Sequence, residues 1–393
     1  MPVSTSETKK NKARLLILYL LGLLLAISGA IPAYIQSNFL EQFVSVRTVS
    51  LFFAIANCLS VAAILLFPAL IKNLGNYFLT KVTAALYLAA LLGLTIADGP
   101  NIALISTILF SVTSNLIWIN MDILVESFSD NRATGRIRTA YFTAINLGWI
   151  MSPLFSAYLI SRGQYTLSFL IAAFMVAPFY LILVSQRRKL KDRIEYKSEA
   201  LPETIKKMWR NRNLRGIFFV ALLLSLFYSA AVIYVPLRLF QDLGMSWDTL
   251  GWIFSVMLVP FVLIEIPAGV IADKYLGEKE ILFAGFAIIV ISLLLFYRIA
   301  TPNAWLWAAV LFASRVGAAL VESMRETYFF KIVDADEVGY INIFRTTGPL
   351  GYIIGAGLGV LILSFFPLHY LFLFFALILL AGFGFIASIK DTK

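Results

Sequence analysis

GAALVESMRETYFFKIVDADE, residues 317–337, carries Glu322, Arg325 and Glu326 at the end of an apolar run. Immediately upstream is AWLWAAVLFAS (304–314), a stretch suited to hydrocarbon. An earlier stretch, INMDILVESFSDNRATGRIR (119–138), places Asp122 and Glu126 in the same way, 200 positions before Glu322 and Glu326. A charge needs a compensating partner or water where hydrocarbon ends. Two such places at a fixed interval point to a membrane protein built from two similar halves.

Composition agrees. The 393 residues are 60% hydrophobic and 14% charged, whereas soluble domains carry roughly 25% charge. A single cysteine, Cys58, excludes a disulfide framework and a cysteine-based zinc site. A single histidine, His369, with no His-Glu-x-x-His pattern, argues against most metal and acid–base enzymes, so neither a cofactor nor catalysis is expected. The net charge of +10 is read as basic loops that set orientation, not as a nucleic-acid surface. KKNKARLLILYLLGLLLAISGA (9–30) looks like a secretory signal, but its apolar run continues and further spans follow, so an uncleaved first span is expected.

A helix crosses the bilayer in about 20 apolar residues. Twelve such segments are read, at roughly 15–37, 48–71, 77–97, 102–123, 138–161, 165–186, 214–240, 249–271, 280–299, 304–327, 341–365 and 368–389. The runs are continuous, not alternating, which excludes a membrane β-barrel. Alternate loops and both termini hold 27 of the 32 Lys and Arg residues; the opposite loops hold Arg47, Arg162, Arg238 and Arg298. That asymmetry places both termini in the cytoplasm, and the short loops point to a plasma (inner) membrane. The one long polar stretch divides the chain into a six-helix bundle at 1–186, a linker at 187–213 and a second bundle at 214–393. Within the linker, LPETIKKMW (201–209) predicts a short amphipathic helix along the membrane surface, with Pro202 near its start.

Shifting the first half by 200 positions aligns Tyr34 with Tyr234, Asn115 with Arg315, Asp122 with Glu322 and Glu126 with Glu326. Pro68 meets Pro267 at a shift of 199. Polar coincidences in so apolar a chain indicate parallel repeats, each a six-helix bundle.

Twelve spans, a 6+6 repeat and a basic central loop resemble the major facilitator superfamily. The sharpest local likeness is GVIADKYLGEKEIL (269–282), similar to that family's Gly-x-x-Ala-Asp-Arg/Lys-x-Gly-Arg/Lys-Arg/Lys loop with one residue inserted before Gly277. Gly269, Asp273, Lys274 and Lys279 fill its places; the counterpart ALIKNLGNYFLTK (69–81) keeps Lys72 and Gly75 but lacks the Asp. The resemblance implies an all-α membrane fold of two pseudo-symmetric six-helix bundles and secondary transport by alternating access, without naming a substrate.

Asp122, Glu126, Glu322 and Glu326 close spans 4 and 10, with Arg325 beside the second pair. Arg136 and Arg138 open span 5, and Arg345 opens span 11. One reading makes these ordinary interfacial charges. The other, which the resemblance favours, makes them a cytoplasmic gate together with Asp273 and Lys274, broken and re-formed as the halves rock.

Arg315 lies 11 residues past Ala304, so roughly 16 Å deep at 1.5 Å per residue. A mid-span Arg is costly and should face a cavity or a partner. Arg315 and its repeat mate Asn115 are therefore the substrate-binding candidates, with Ser28, Tyr34 and Gln36 on span 1, Ser111 and Trp118 on span 4, and Ser225, Tyr228 and Tyr234 on span 7. For single aromatics, plain helix packing is the competing reading. Glu265 in span 8 has three readings: a proton carrier, a partner for Arg315, or a snorkelling packing residue. Gly351-x-x-x-Gly355 in span 11 and Gly148 with Pro153 in span 5 suit tight helix contact and bending.

The function expected is secondary transport of a small polar or anionic solute by a monomer, with protons as a candidate coupling ion. Efflux of lipophilic compounds is the alternative within transport, favoured by 15% aromatic content. A non-transporting membrane sensor is the alternative outside it.

Overall fold

In lipid, every backbone N–H and C=O must be satisfied within its own segment, so continuous apolar runs become helices. The computed structural model describes residues 5–44, 46–129, 134–160, 164–191 and 200–390, with the side chains at 5–12, 34, 37–38, 41, 46–51, 54, 134–135, 151, 153–158, 160, 241 and 247–248 outside the description. Among the described residues there is helix and no strand. Eleven helices there are long and apolar enough to cross a membrane, and they match spans 1–4 and 6–12. Span 5 is the helix Thr134–Ile160, 27 residues long, with part of its side chains undescribed. The twelve-helix, all-α membrane fold stands.

Helix ends exceed the apolar runs. Span 4 is helical over Pro100–Glu126 and span 10 over Ala304–Ile332, so the terminal charges ride on the last turns of these helices. Two glycines start the third span of each half: Gly75 has φ 79° and Gly277 φ 92°. A left-handed residue there turns the chain from one span into the next, and only glycine adopts it without strain.

Span 7, Arg212–Phe240, is not a uniform α-helix. It widens into π-helical turns at Ala230–Tyr234 and Arg238–Asp242, on either side of Pro236, which lacks a backbone N–H. A third π-helical turn, Ala272–Leu276, ends span 8. The linker holds the predicted helix at Leu201–Arg210, with Glu203 in its first turn and Lys207 and Arg210 in its last. That charge order complements the helix dipole.

The chain forms two compact units that exchange short segments. One comprises Met1–Arg132, Ala144–Leu201 and Val333–Arg345; the other comprises Ala133–Thr143, Pro202–Ile332 and Thr346–Lys393. In the first unit, a β-carbon added at Gly148 would stand 2.9 Å from Ala26 Cβ and 3.0 Å from Ile27 N, so span 5 lies directly on span 1. In the second, β-carbons at Gly351, Gly355 and Gly359 would overlap Ser225, Ser229 and Tyr234, so span 11 lies as closely on span 7. Without a strong hydrophobic drive between helices in lipid, such close backbone approach supplies the packing attraction.

Candidate functional site

The charges at the span ends find partners within each unit. In the first unit, Arg345 ends the helical segment Val338–Arg345. Its Nε donates to Asp122 Oδ2 at 2.6 Å, and Asp122 is buried. The same segment is fixed one turn earlier, where Asn342 donates to the Ile64 carbonyl of span 2 at 2.8 Å. Glu126 is buried on the last turn of span 4.

In the second unit, Arg325 lies 3.7 Å from Glu322 and 3.6 Å from Glu326, and it donates to the Ala221 carbonyl of span 7 at 3.4 Å. Arg325 thus faces both Glu322 and Glu326 on its own helix. Glu322 also accepts a hydrogen bond from the Tyr228 hydroxyl at 2.6 Å. A residue of the expected gate and one of the expected substrate contacts are therefore bonded to each other.

Asp273 lies 3.4 Å from Lys331, whose amine also holds Glu278 in a close ion pair. Glu278 is fully buried and is the first residue of span 9, where the helix dipole favours a carboxylate. Lys279 donates to the Ala387 and Ile389 carbonyls at 3.3 and 3.0 Å, satisfying the end of span 12. Lys274 and Arg136 are exposed, whereas Arg138 is fully buried with its guanidinium carbon 3.4 Å from the Phe330 ring centre.

Arg315 is 2% exposed and its guanidinium lies 5.3 Å from the Phe227 ring centre. The Tyr228 and Tyr352 hydroxyls are within its electrostatic reach. Cation–π contact of this kind stabilises a desolvated guanidinium. Tyr234 is buried and donates to the Gly355 carbonyl at 3.4 Å. Ser225 is buried beneath Gly351 and bonds to the Ala221 carbonyl at 3.0 Å, so packing occupies it. Glu265 is fully buried.

Among the first-unit candidates, Asn115 is half-buried and donates to the Ser111 carbonyl at 2.9 Å, and Ser111 donates to the Thr107 carbonyl at 3.0 Å. Trp118 is half-buried on the same helix. Gln36 is buried, Ser28 lies 3.5 Å from the Tyr87 hydroxyl, and the Tyr34 side chain is outside the described residues. Among the described residues, no group of three His, Cys, Asp or Glu side chains could hold a metal ion.

The family model of the Major Facilitator Superfamily matches this chain twice, over residues 18–248 and 217–392. The chain belongs to the Major Facilitator Superfamily. With that membership comes membrane transport as its activity. No curated protein matches the sequence. The fold is similar to that of the human organic anion transporter MFSD10 (TETRAN), with a TM-score of 0.78 and 12% identity, covering 96% of this chain and 99% of that one. It is also similar to the superfamily transporter FucP in the outward conformation, with a TM-score of 0.73 and 14% identity, covering 98% of this chain and 100% of that one.

Two members of the charge network, Lys331 and Glu278, do not stand out in the sequence. Lys331 sits past the apolar run, where only the continuation of the helix to Ile332 brings it back over Asp273. Glu278 follows Gly277 in the superfamily's loop signature at a position where a basic residue is usual, and its burial against Lys331 explains an acid there. A basic residue in the last turn of span 10, read together with an acid opening span 9, was the available signal.

Proposed function

We propose that this chain is a secondary transporter that moves a small anionic or polar solute across the plasma membrane by alternating access. Arg315 is the observation that carries the reading. A guanidinium buried at mid-span costs at least about 2.5 kcal/mol on insertion scales, and a function that needs a fixed cation accounts for keeping it. Its contact with Phe227 supports a pre-oriented donor fork for a carboxylate, sulfonate or phosphate. The shared fold with an organic anion transporter is in keeping with that class.

In this reading Asn115, Gln36, Ser111, Trp118, Tyr34, Tyr228 and Tyr234 contribute the polar and aromatic contacts, and Glu265 is the proton-coupling group. The Asp122–Arg345 pair and the cluster around Glu322, Arg325 and Glu326 act as the gate, with Lys331 joining Asp273 to Glu278. Both termini face the cytoplasm, as the distribution of Lys and Arg supports, and the transporter works as a monomer.

The test is thermal stabilisation of the purified protein by sugars, amino acids, organic anions and lipophilic cations, beside the Arg315→Gln variant. Stabilisation by an anionic class that vanishes in the variant supports the reading. Stabilisation by lipophilic cations alone, equal in both proteins, would replace it with efflux of lipophilic compounds. No stabilisation by any class would favour a sensor.

A further inference from the structure

The linker helix Leu201–Arg210 divides its circumference into three stripes. Thr204 and Met208, one turn apart, are buried against the protein. Beside them Ile205 and Trp209, also one turn apart, are 39% and 41% exposed. On the far side of that apolar stripe, Lys206 and Arg210 are exposed. At 100° per residue the order around the helix is protein, apolar surface, positive charge.

The apolar stripe continues into the membrane surface. Trp209 meets the Phe218 and Phe219 rings of span 7 edge-on, with centres 5.5 and 5.9 Å away, and Phe219 stacks on Phe385 of span 12 at 4.5 Å. The turn that follows is held firmly. Asn211 Oδ1 accepts from the Asn213 and Leu214 amides at 3.0 and 3.3 Å, and Arg215 donates to the Trp209 carbonyl at 3.2 Å. Asn213 Oδ1 accepts from the Lys390 amide at 3.0 Å, which brings the exposed Lys390 to the same corner as Arg212, the exposed first residue of the span-7 helix. Glu203 is the one acid on the helix; it lies on the basic side one turn before Lys206, in the turn farthest from that corner, where Arg210 and Lys390 stand.

We propose that this corner is a binding site for anionic phospholipid, with Trp209 and Ile205 against the acyl-chain boundary and Lys206, Arg210, Arg212 and Lys390 around the phosphate. An amphipathic helix with Trp on its apolar stripe and Lys and Arg beside it lies in the headgroup plane. Basic residues at that level attract anionic lipid electrostatically. The charge is exposed and the apolar stripe is continuous with the surface of spans 7 and 12, so the occupant must carry both a negative headgroup and hydrocarbon. A free phosphate satisfies only the first requirement and an acidic protein segment lacks the second.

Native mass spectrometry of the full chain released from micelles holding equal amounts of phosphatidylglycerol and phosphatidylcholine tests this. The wild type is expected to retain phosphatidylglycerol preferentially, with the preference falling about fivefold for each charge removed in K206Q, R210Q and R212Q. A K72Q/K81Q variant, neutralised elsewhere, is expected to keep the full preference. Equal retention of the two lipids by the wild type would overturn the proposal, as would equal loss in both sets of variants. Displacement of the lipid by millimolar inorganic phosphate would also overturn it, since phosphate alone would then suffice.

Discussion

Arg345 and Asp122 stand 223 positions apart in the chain, yet Arg345 Nε donates to Asp122 Oδ2 at 2.6 Å. The segment Val333–Arg345 follows span 10 in sequence but belongs to the compact unit that contains span 4. Asp122→Asn removes one charge of a mostly buried pair, a change that costs up to about 3–5 kcal/mol in buried pairs. The expected result is a clear fall in melting temperature for Asp122→Asn and for Arg345→Gln. The reversed double variant D122R/R345D is expected to recover part of the loss, and thermal unfolding in detergent measures it. Single variants as stable as the wild type would mean that the pair holds nothing together.

Tyr228 links the Arg315 neighbourhood to the span-10 acids through its bond to Glu322. Hydrogen bonds to charged groups contribute about 1.5–3 kcal/mol. Tyr228→Phe is therefore expected to remain folded, because Arg325 still faces Glu322 at 3.7 Å, while altering transport rate more than stability. Parallel thermal melts and uptake assays separate the two. A large loss of stability with unchanged turnover would reduce Tyr228 to a packing residue.

The glycine stripe of span 11 makes a position-specific prediction. Alanine at Gly359 would overlap Tyr234, whereas alanine at Gly357 would meet nothing within 4 Å. Overpacking costs about 1–3 kcal/mol, so Gly359→Ala is expected to lower the melting temperature and Gly357→Ala to leave it unchanged or raise it slightly. Shortening the neighbour, as in G359A/Y234L, should restore part of the loss.

Gly75 and Gly277 occupy matching turns with φ of 79° and 92°. Alanine at either is expected to cost about 1–3 kcal/mol, readable as a lower melting temperature of similar size in both variants. A neutral Gly277→Ala would show that the turn relaxes without glycine.

The spans were legible because hydrocarbon imposes a long, unbroken apolar run, and the repeat because rare polar residues stand out against that background. Helix ends were less legible. Hydropathy marks where lipid stops, while the helix of span 10 runs on through Phe329 and Phe330 to Ile332 and so carries Lys331 to Asp273 and Glu278. The π-helical turns of span 7 leave no periodic mark, since a one-residue widening around Pro236 does not change composition. Among the candidate site residues, type and depth pointed to Arg315, but partner choice did not follow from type. Ser225 looks like a polar cavity contact in sequence, and the close approach of span 11 packs Gly351 directly against it. The Tyr228–Glu322 bond joins residues 94 positions apart and depends on how spans 7 and 10 face each other, which no local pattern encodes.

The most direct test of the central claim is uptake of the stabilising anion into liposomes containing either the wild type or Arg315→Gln. Losing a charge-assisted contact to the substrate should lower uptake at limiting concentration about tenfold or more, with the variant still folded by its melting curve. Wild-type uptake by a folded Arg315→Gln protein would contradict the account and leave Arg315 a structural cation over Phe227.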